Sequence, residues 1–395
     1  MNRILSLVTV VALCTAVPVD THAQTTSAVV DNSIRSAVIT EFPTPSAQSL
    51  PQGLDIDEAG NIWYTETAAG KIAVLHPDRT TAEYPVPNGG TPVTVKVAVD
   101  GIWFTDGSNH AIGNLTPTTG KIQEFPIPSG ASPLFLQIAL DGSKWFSETT
   151  GVGRLSLNGT VTEWDVALEH PDDNIEQLSI DRSGDIWFVE RNFDGVGAAG
   201  TNKVRRLNPW TNVISTYMVP TFGGNPAGVQ ANQDGTVWVS EYFANAFALL
   251  FPNVAPHTNE VVAPNSQLGS NSSARARATN FGRLPGVRTP ETPTISFVRP
   301  NLTPGWVEYV IPTANTESED MRVDQFGRLW YEGDTGFLGV LNPYIAVFTQ
   351  YAIPSINSGF YNITLDQKTN RLWFTEAGAF GAVPTKVGNL NTRSW

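Results

Sequence analysis

The sequence predicts an all-β chain folded as a seven-bladed β-propeller closed by its N-terminal strand, and three observations lead there. The first is a phrase that recurs: IWYTE around Trp63 returns around Trp103, Trp145, Trp187, Trp238, Trp330 and Trp373. Five of the six intervals between these tryptophans lie between 40 and 51 residues, and a fixed period of that size marks a repeat architecture. The second is another phrase in step with it: TEFPTP at 40–45, AEYPVP at 82–87 and QEFPIP at 123–128, then TEWDVA, TYMVP, VEYVIP and QYAIP. The third is the offset between the two series. The chain begins with a lone copy of the second phrase and ends on KVGNL at 386–390, one strand short of a full last repeat. A strand near 37–44 would fill that vacancy and remove two open sheet edges at once.

Within a repeat the runs are short, β-branched or aromatic, and separated by Gly, Asn, Asp and Pro, as strands joined by tight turns are. IWYTE, KIAVL and AEYPVP supply the second, third and fourth strands of the first blade. The tryptophans are expected to pack between neighbouring blades and bury a large area.

Before the propeller, Arg3 precedes an apolar run from Ile4 to Val17, and Thr21-His22-Ala23 ends in a small residue. Residues 1–23 read as a secretory signal peptide and 24–36 as a linker to a propeller over 37–395, so the expected location is secreted or periplasmic. The single cysteine, Cys14, falls inside that segment, and the mature chain is expected to form no disulfide. A net charge of -13 argues against nucleic acid and anionic membranes as partners. No membrane insertion is expected, and the protein is expected to be a monomer.

The spacing from Trp238 to Trp330 is 92 residues, about 50 more than a repeat of this kind uses. The excess reads as a loop insertion at about 243–293 that leaves after the second strand of blade five, just past Glu241. Its stretch 265–293 is rich in Ser, Asn, Gly and Pro and carries Arg275, Arg277, Arg283 and Arg288. These arginines suggest a lid over an acidic mouth. Either AFALLF (246–251) or TISFVRP (294–300) supplies the third strand of that blade. If both are used, an eighth blade without a Trp becomes the alternative.

In an antiparallel blade, the loop entering the inner strand and the loop after the second strand open on one face. Counting back from each Trp places Gln52, Val95, Leu136, Glu176, Ala227, Glu319 and Tyr361 in one ring there. Counting forward places Glu66, Asp106, Glu148, Glu190, Glu241, Gly333 and Glu376 in another. So many carboxylates around one opening favour a divalent cation or a cationic ligand. The opposing reading makes each repeated Glu a structural acceptor for backbone N–H groups in its own turn. Glu176 and Glu319 break the repeat and are therefore the stronger functional candidates. His110 and His170 fall on the same face, His76 on the opposite one and His257 in the insertion. The chain has no G-x-S-x-G, H-E-x-x-H, Cys pair or Gly-rich phosphate loop.

The phrases GNIWYTE (60–66), NHAIGNL (109–115) and TTGKIQEFPIP (118–128) resemble the streptogramin B lyase family, also called virginiamycin B lyases. The resemblance extends over nearly all of 37–395 except the insertion. It implies a seven-bladed propeller whose lyase members open a cyclic depsipeptide at its ester bond by elimination, with Mg²⁺ and a histidine base. At the two late-blade positions where those lyases carry P-H-G-I or P-H-A-I, this chain has Glu319 and Tyr361. Glu376 lies close to a position at which the lyases have a functional Glu. By this correspondence the catalytic candidates are Glu319, Tyr361 and Glu376, and the candidates for holding Mg²⁺ (or Ca²⁺) are Glu176, Glu319 and Glu376. Elimination needs a base of near-neutral pKa, and Tyr is a poor one unless strongly perturbed. Two functions stay open: a metal-assisted lyase or lactone-opening enzyme acting on a cyclic ester, and a binding propeller for a small molecule, glycan or peptide at the mouth.

Overall fold

A computed structural model describes residues 39–168, 173–192, 202–264, 294–333, 336–355, 358–378 and 385–392. The expected signal peptide and linker, and the four arginines of the expected lid, lie outside these residues. The described strands form seven antiparallel sheets, one for each Trp phrase. Among the described residues no helix is long and apolar enough to cross a membrane.

Blade one runs outward through Pro51–Ile56, Ile62–Glu66, Lys71–Leu75 and Thr81–Pro85. The next two blades repeat it. Blade seven has Ser358–Asp366, Arg371–Gly378 and Lys386–Asn391, and its outer strand is Ile39–Pro43 from the start of the propeller. Ile39 pairs with Leu390 and Pro43 with Lys386, so the expected closure is the observed one.

Period-2 alternation gives each sheet two apolar faces, and one of them explains why the two phrases travel together. Each phrase Trp stacks across the third strand on the aromatic residue of the second phrase in its own blade. The ring centroids are 6.0 Å apart for Trp63–Tyr84, 5.2 Å for Trp145–Trp164 and 5.4 Å for Trp187–Tyr217. In blade seven the partner of Trp373 is Phe42, at 5.9 Å, from the closing strand. The same tryptophans face the next blade: Trp63 packs with Val95 and Phe104, and Trp373 with Leu54 and Tyr64. Seven such clusters make seven interfaces, each a small core of its own.

The insertion departs from its expected place. Glu241 pairs with Ala246 across a short turn, so Ala246–Leu250 is the third strand of blade five, and it pairs with Trp306–Val310 as the fourth. The excess chain therefore leaves between the third and fourth strands, on the face opposite the mouth. There it adds His257–Val261 to the outer edge of blade four, and Thr294–Phe297 returns along the outer edge of blade six. TISF is thus an edge strand and not the third strand of blade five. No eighth blade forms among the described residues. The physical reason is that outer strands present unpaired N–H and C=O groups, which the extra chain satisfies. The expected departure beside Glu241 is therefore not the observed one, and residues 265–293 lie outside the described residues.

Candidate functional site

Six of the seven inner strands carry a register shift at the mouth, as between Pro51 and Leu54, between Ile175 and Leu178, and between Phe360 and Ile363. A bulge of this kind re-aims side chains. The pairings Leu54–Tyr64, Val95–Phe104 and Met321–Tyr331 set the level of each ring. By that register Gln52, Glu176, Ala227, Glu319 and Tyr361 share a level, as expected. Val93 and Leu134 complete it; Val95 and Leu136 are fully buried core residues one step deeper. A shorter turn in blade two shifts the count.

The second ring does not line the channel. Glu66, Asp106, Glu148, Glu190, Glu241 and Glu376 are all buried inside their blades. Each lies against a group from farther out in the sheet: Glu66 faces Glu83, Glu148 faces Glu163, Glu241 faces Glu308, and Glu376 faces Glu41. Burial first, and then these neighbours, push Glu66 and Glu376 up to about 7 and Glu241 up to about 8. Two carboxyl groups enclosed together cannot both ionise cheaply, so one of each pair keeps its proton. In blade four the small residue of the third strand is replaced by Arg205, whose guanidinium bonds Glu190 at 2.6 Å and Glu260 of the added strand at 3.2 Å.

Glu376 therefore stands apart from the other two acidic candidates, beside Glu41 and Lys386 within blade seven. Tyr361 lies on the inner strand of that blade, and its side chain is outside the described residues. The structure does bring Glu176 and Glu319 together, and it brings a third group with them. Arg191 Nη1 lies 2.8 Å from Glu319 Oε1. The Arg191 guanidinium also lies over the Tyr242 ring, 4.3 Å from its centroid, and the Tyr242 hydroxyl donates to Glu317 Oε2 at 3.2 Å. Burial pushes Glu176 up to about 7, Arg191 opposes that, and Glu319 adds to it. Burial alone would lower the Arg191 guanidinium, but Glu319 and Glu176 carry it above the ordinary arginine range.

Local sequence explains the arrangement. Arg191 follows the repeat's carboxylate, where the other blades have Thr, Gly, Tyr, Asp or Ala, so it projects from the mouth end of the second strand. To reach Glu319 it crosses blade five, whose inner strand carries Gly228. A Cβ there would meet the Glu319 carbonyl oxygen at 2.2 Å, so only Gly lets blades five and six approach so closely. Glu332, replacing the usual Thr or Ser, accepts from the N–H groups of Glu319 at 2.8 Å and Asp320 at 2.7 Å, which fixes the bend. Phe243, exposed beside Tyr242 at 5.5 Å, and exposed Phe222 on the adjacent loop add apolar surface to the rim. His110 is on blade two, with Nδ1 3.3 Å from Ser132 Oγ, whereas this cluster belongs to blades four to six. His170 is outside the described residues.

These residues do not fit a divalent cation. Mg²⁺ and Ca²⁺ require six or more oxygen ligands in a suitable cage, whereas Glu376 is elsewhere and Glu319 is already paired with Arg191. Among the described residues no three His, Cys, Asp or Glu side chains converge on one point in a way that could hold a metal. Of the expected set Glu176, Glu319 and Glu376, the structure groups the first two and places Glu376 beside Glu41 in blade seven.

The family profile described as the virginiamycin B lyase family matches residues 23–249, more than half of the chain. The chain belongs to the virginiamycin B lyase family. A virginiamycin B lyase from Nocardia farcinica is 30% identical over 196 residues, which is 49% of this chain and 63% of that protein. Among solved structures, a virginiamycin B lyase from Staphylococcus aureus has a TM-score of 0.68 at 19% identity, covering 90% of this chain and 99% of its own. A catalytically inactive form of that lyase with quinupristin has a TM-score of 0.67 at 19% identity, again over 90% of this chain and 99% of its own. At these identities the solved lyases share the propeller fold with this family member. The family match ends inside blade five, before Glu319, Tyr361 and Glu376.

Proposed function

We propose that this member of the family is a binding propeller that takes a peptide-like or depsipeptide ligand at the mouth over blades four to six. The observation that carries this reading is the Arg191 guanidinium paired with Glu319 close to Glu176. It supplies inside the protein the positive charge that a metal would bring, and it ties up the carboxylate that stands where a lyase has a histidine. Glu319 already accepts from the Arg191 guanidinium, so the oxygen that would take a proton from a substrate is engaged inside the protein. The rim suits binding. Phe222 and Phe243 offer apolar area, while Arg191, Glu319 and Tyr242 offer donors and acceptors in fixed orientation for backbone amides.

Elimination on a cyclic ester is the second reading, and one observation favours it: Glu176, pushed up to about 7, has the basicity that proton abstraction next to a carbonyl needs. Its burial and its contact with Arg191 weigh against access to a substrate. One experiment separates the two. Quinupristin is titrated into the purified protein by calorimetry, and the same mixture is followed by liquid chromatography with tandem mass spectrometry, with and without Mg²⁺. Elimination opens the ring without changing mass, so a linear product appears as a shifted peak with a new fragmentation pattern. Heat of binding with an intact ring supports the binding reading. A Mg²⁺-dependent linear isomer would overturn it.

A further inference from the structure

Below the mouth the channel narrows to a throat that the binding reading does not use. Its wall carries two cations from inner strands at the same level. Lys96 pairs across its blade with Trp103, and Arg322 pairs with Trp330. Thr94, Gln137, Gln177, Gln230 and Asn362 add polar groups to a lining that is otherwise apolar. The space they leave is wide enough for a water-sized body and little more.

Two acidic residues, Asp55 and Asp320, lie near these cations. Asp55 accepts from Val97 N at 2.8 Å and from Ile56 N at 3.0 Å. Asp320 accepts from Gln177 Nε2 at 3.1 Å, Asn362 Nδ2 at 2.8 Å, Ile363 N at 2.9 Å and Met321 N at 2.9 Å, and also from Arg322 Nη1. Arg322 spends that one nitrogen on Asp320 and on its own strand. Lys96 makes no hydrogen bond among the described residues. Two like charges thus face one small space, where Asp320 is shared between Arg322 and four other donors and Asp55 is held by two backbone N–H groups. Lys96 is half-buried with its ammonium toward this space, and the amide N–H groups of the lining glutamines are further donors there.

We infer that the throat is a binding site for a small monovalent inorganic anion of chloride size, held by Lys96 and Arg322 with the glutamine amides around it. Such an anion supplies Lys96 with its missing acceptor and offsets the repulsion between the two cations. Burial, with Arg322 acting in the same direction against Asp55, holds the Lys96 ammonium below its ordinary range, and a bound anion reverses that effect. The site is independent of the mouth, so its test does not depend on whether the mouth binds or reacts.

Crystals of the full chain grown in sodium bromide and measured at the bromine absorption edge locate the anion directly. A bromide peak between Lys96 and Arg322 is expected. Anomalous peaks confined to the outer surface, or a water refined at that point with no anomalous signal, would overturn the assignment. A second measurement is thermal unfolding in sodium gluconate, whose anion is too large for the throat, with chloride replacing gluconate at constant ionic strength. The parent protein is expected to show a saturable rise in Tm, and Lys96→Met, which keeps most of the side-chain volume, to lose it. An equal rise in both proteins would mean that chloride acts elsewhere.

Discussion

Replacing Glu241 by Gln should flatten the dependence of stability on pH. Glu241 is buried in blade five, and burial with the nearby Glu308 pushes it up to about 8 from an ordinary value of 4.5. Glu308 accepts from the Thr221 hydroxyl and from Asn301 Nδ2, and Glu241 is the more deeply buried of the two. The folded-state pKa is raised, so the stabilising contribution is fully present below pH 4.5 and is lost as pH rises through 8. Between those limits the folded state holds a proton that the unfolded chain has released. Each pH unit then costs about 1.4 kcal/mol, and the whole interval costs up to about 5 kcal/mol. Glu66 and Glu376, up at about 7, add slopes of the same sign. Gln has the shape of the protonated carboxyl and does not titrate. Urea unfolding of parent and Glu241→Gln at half-unit steps from pH 5 to pH 9 gives stability against pH for both. The parent is expected to lose stability more steeply, by about one proton's worth of slope near pH 7, with the curves converging at pH 5. Parallel curves for the two proteins would refute the buried carboxyl pair.

Three further outcomes follow from the same structure. Deleting residues 39–43 strips blade seven of its outer strand and of the Phe42–Trp373 stack, so light scattering should show aggregation and calorimetry a large loss of thermal stability; a variant that melts like the parent would remove the closure. Arg191→Met leaves Glu176 and Glu319 uncompensated and should destabilise by about 3–5 kcal/mol at neutral pH. That loss should shrink when Glu176→Gln is added, measured by urea midpoints. Asp324→Ala removes the acceptor for Trp330 Nε1 and for the N–H groups of Phe326 and Arg328, all within 3.0 Å. It should cost about 2–3 kcal/mol, and near-UV circular dichroism of the Trp region should change with it.

Much of the fold was legible because a propeller writes one unit many times. The spacing of seven tryptophans gave the blade number, and the lone first copy of the second phrase gave the closure, since a strand without a sheet has one vacancy to fill. Gly113, Gly153 and Gly388 sit where the second-strand aromatic needs room. The site was less legible. Repetition makes Glu66, Glu148 and Glu376 look like a ring around the channel, and alternation along a strand does not reveal which face of a sheet looks inward. The departures from the repeat carried the better signal: Arg191 after the phrase carboxylate, Tyr242 at the same position, and Glu332 in place of Thr or Ser.

By itself the sequence determined the all-β class, the seven-fold repeat and the closing strand, and it singled out Glu176 and Glu319 as departures from the repeat. These rest on local pattern and on counting, which one chain displays in full. Only the tertiary structure decided that the repeated carboxylates pair inside their blades and that the insertion leaves by the far face. It also decided that Arg191 meets Glu319 over 128 residues of separation. Contacts between residues so far apart in sequence depend on register and blade-to-blade distance. Those are set by the packing of many side chains at once and have no signature at any one position.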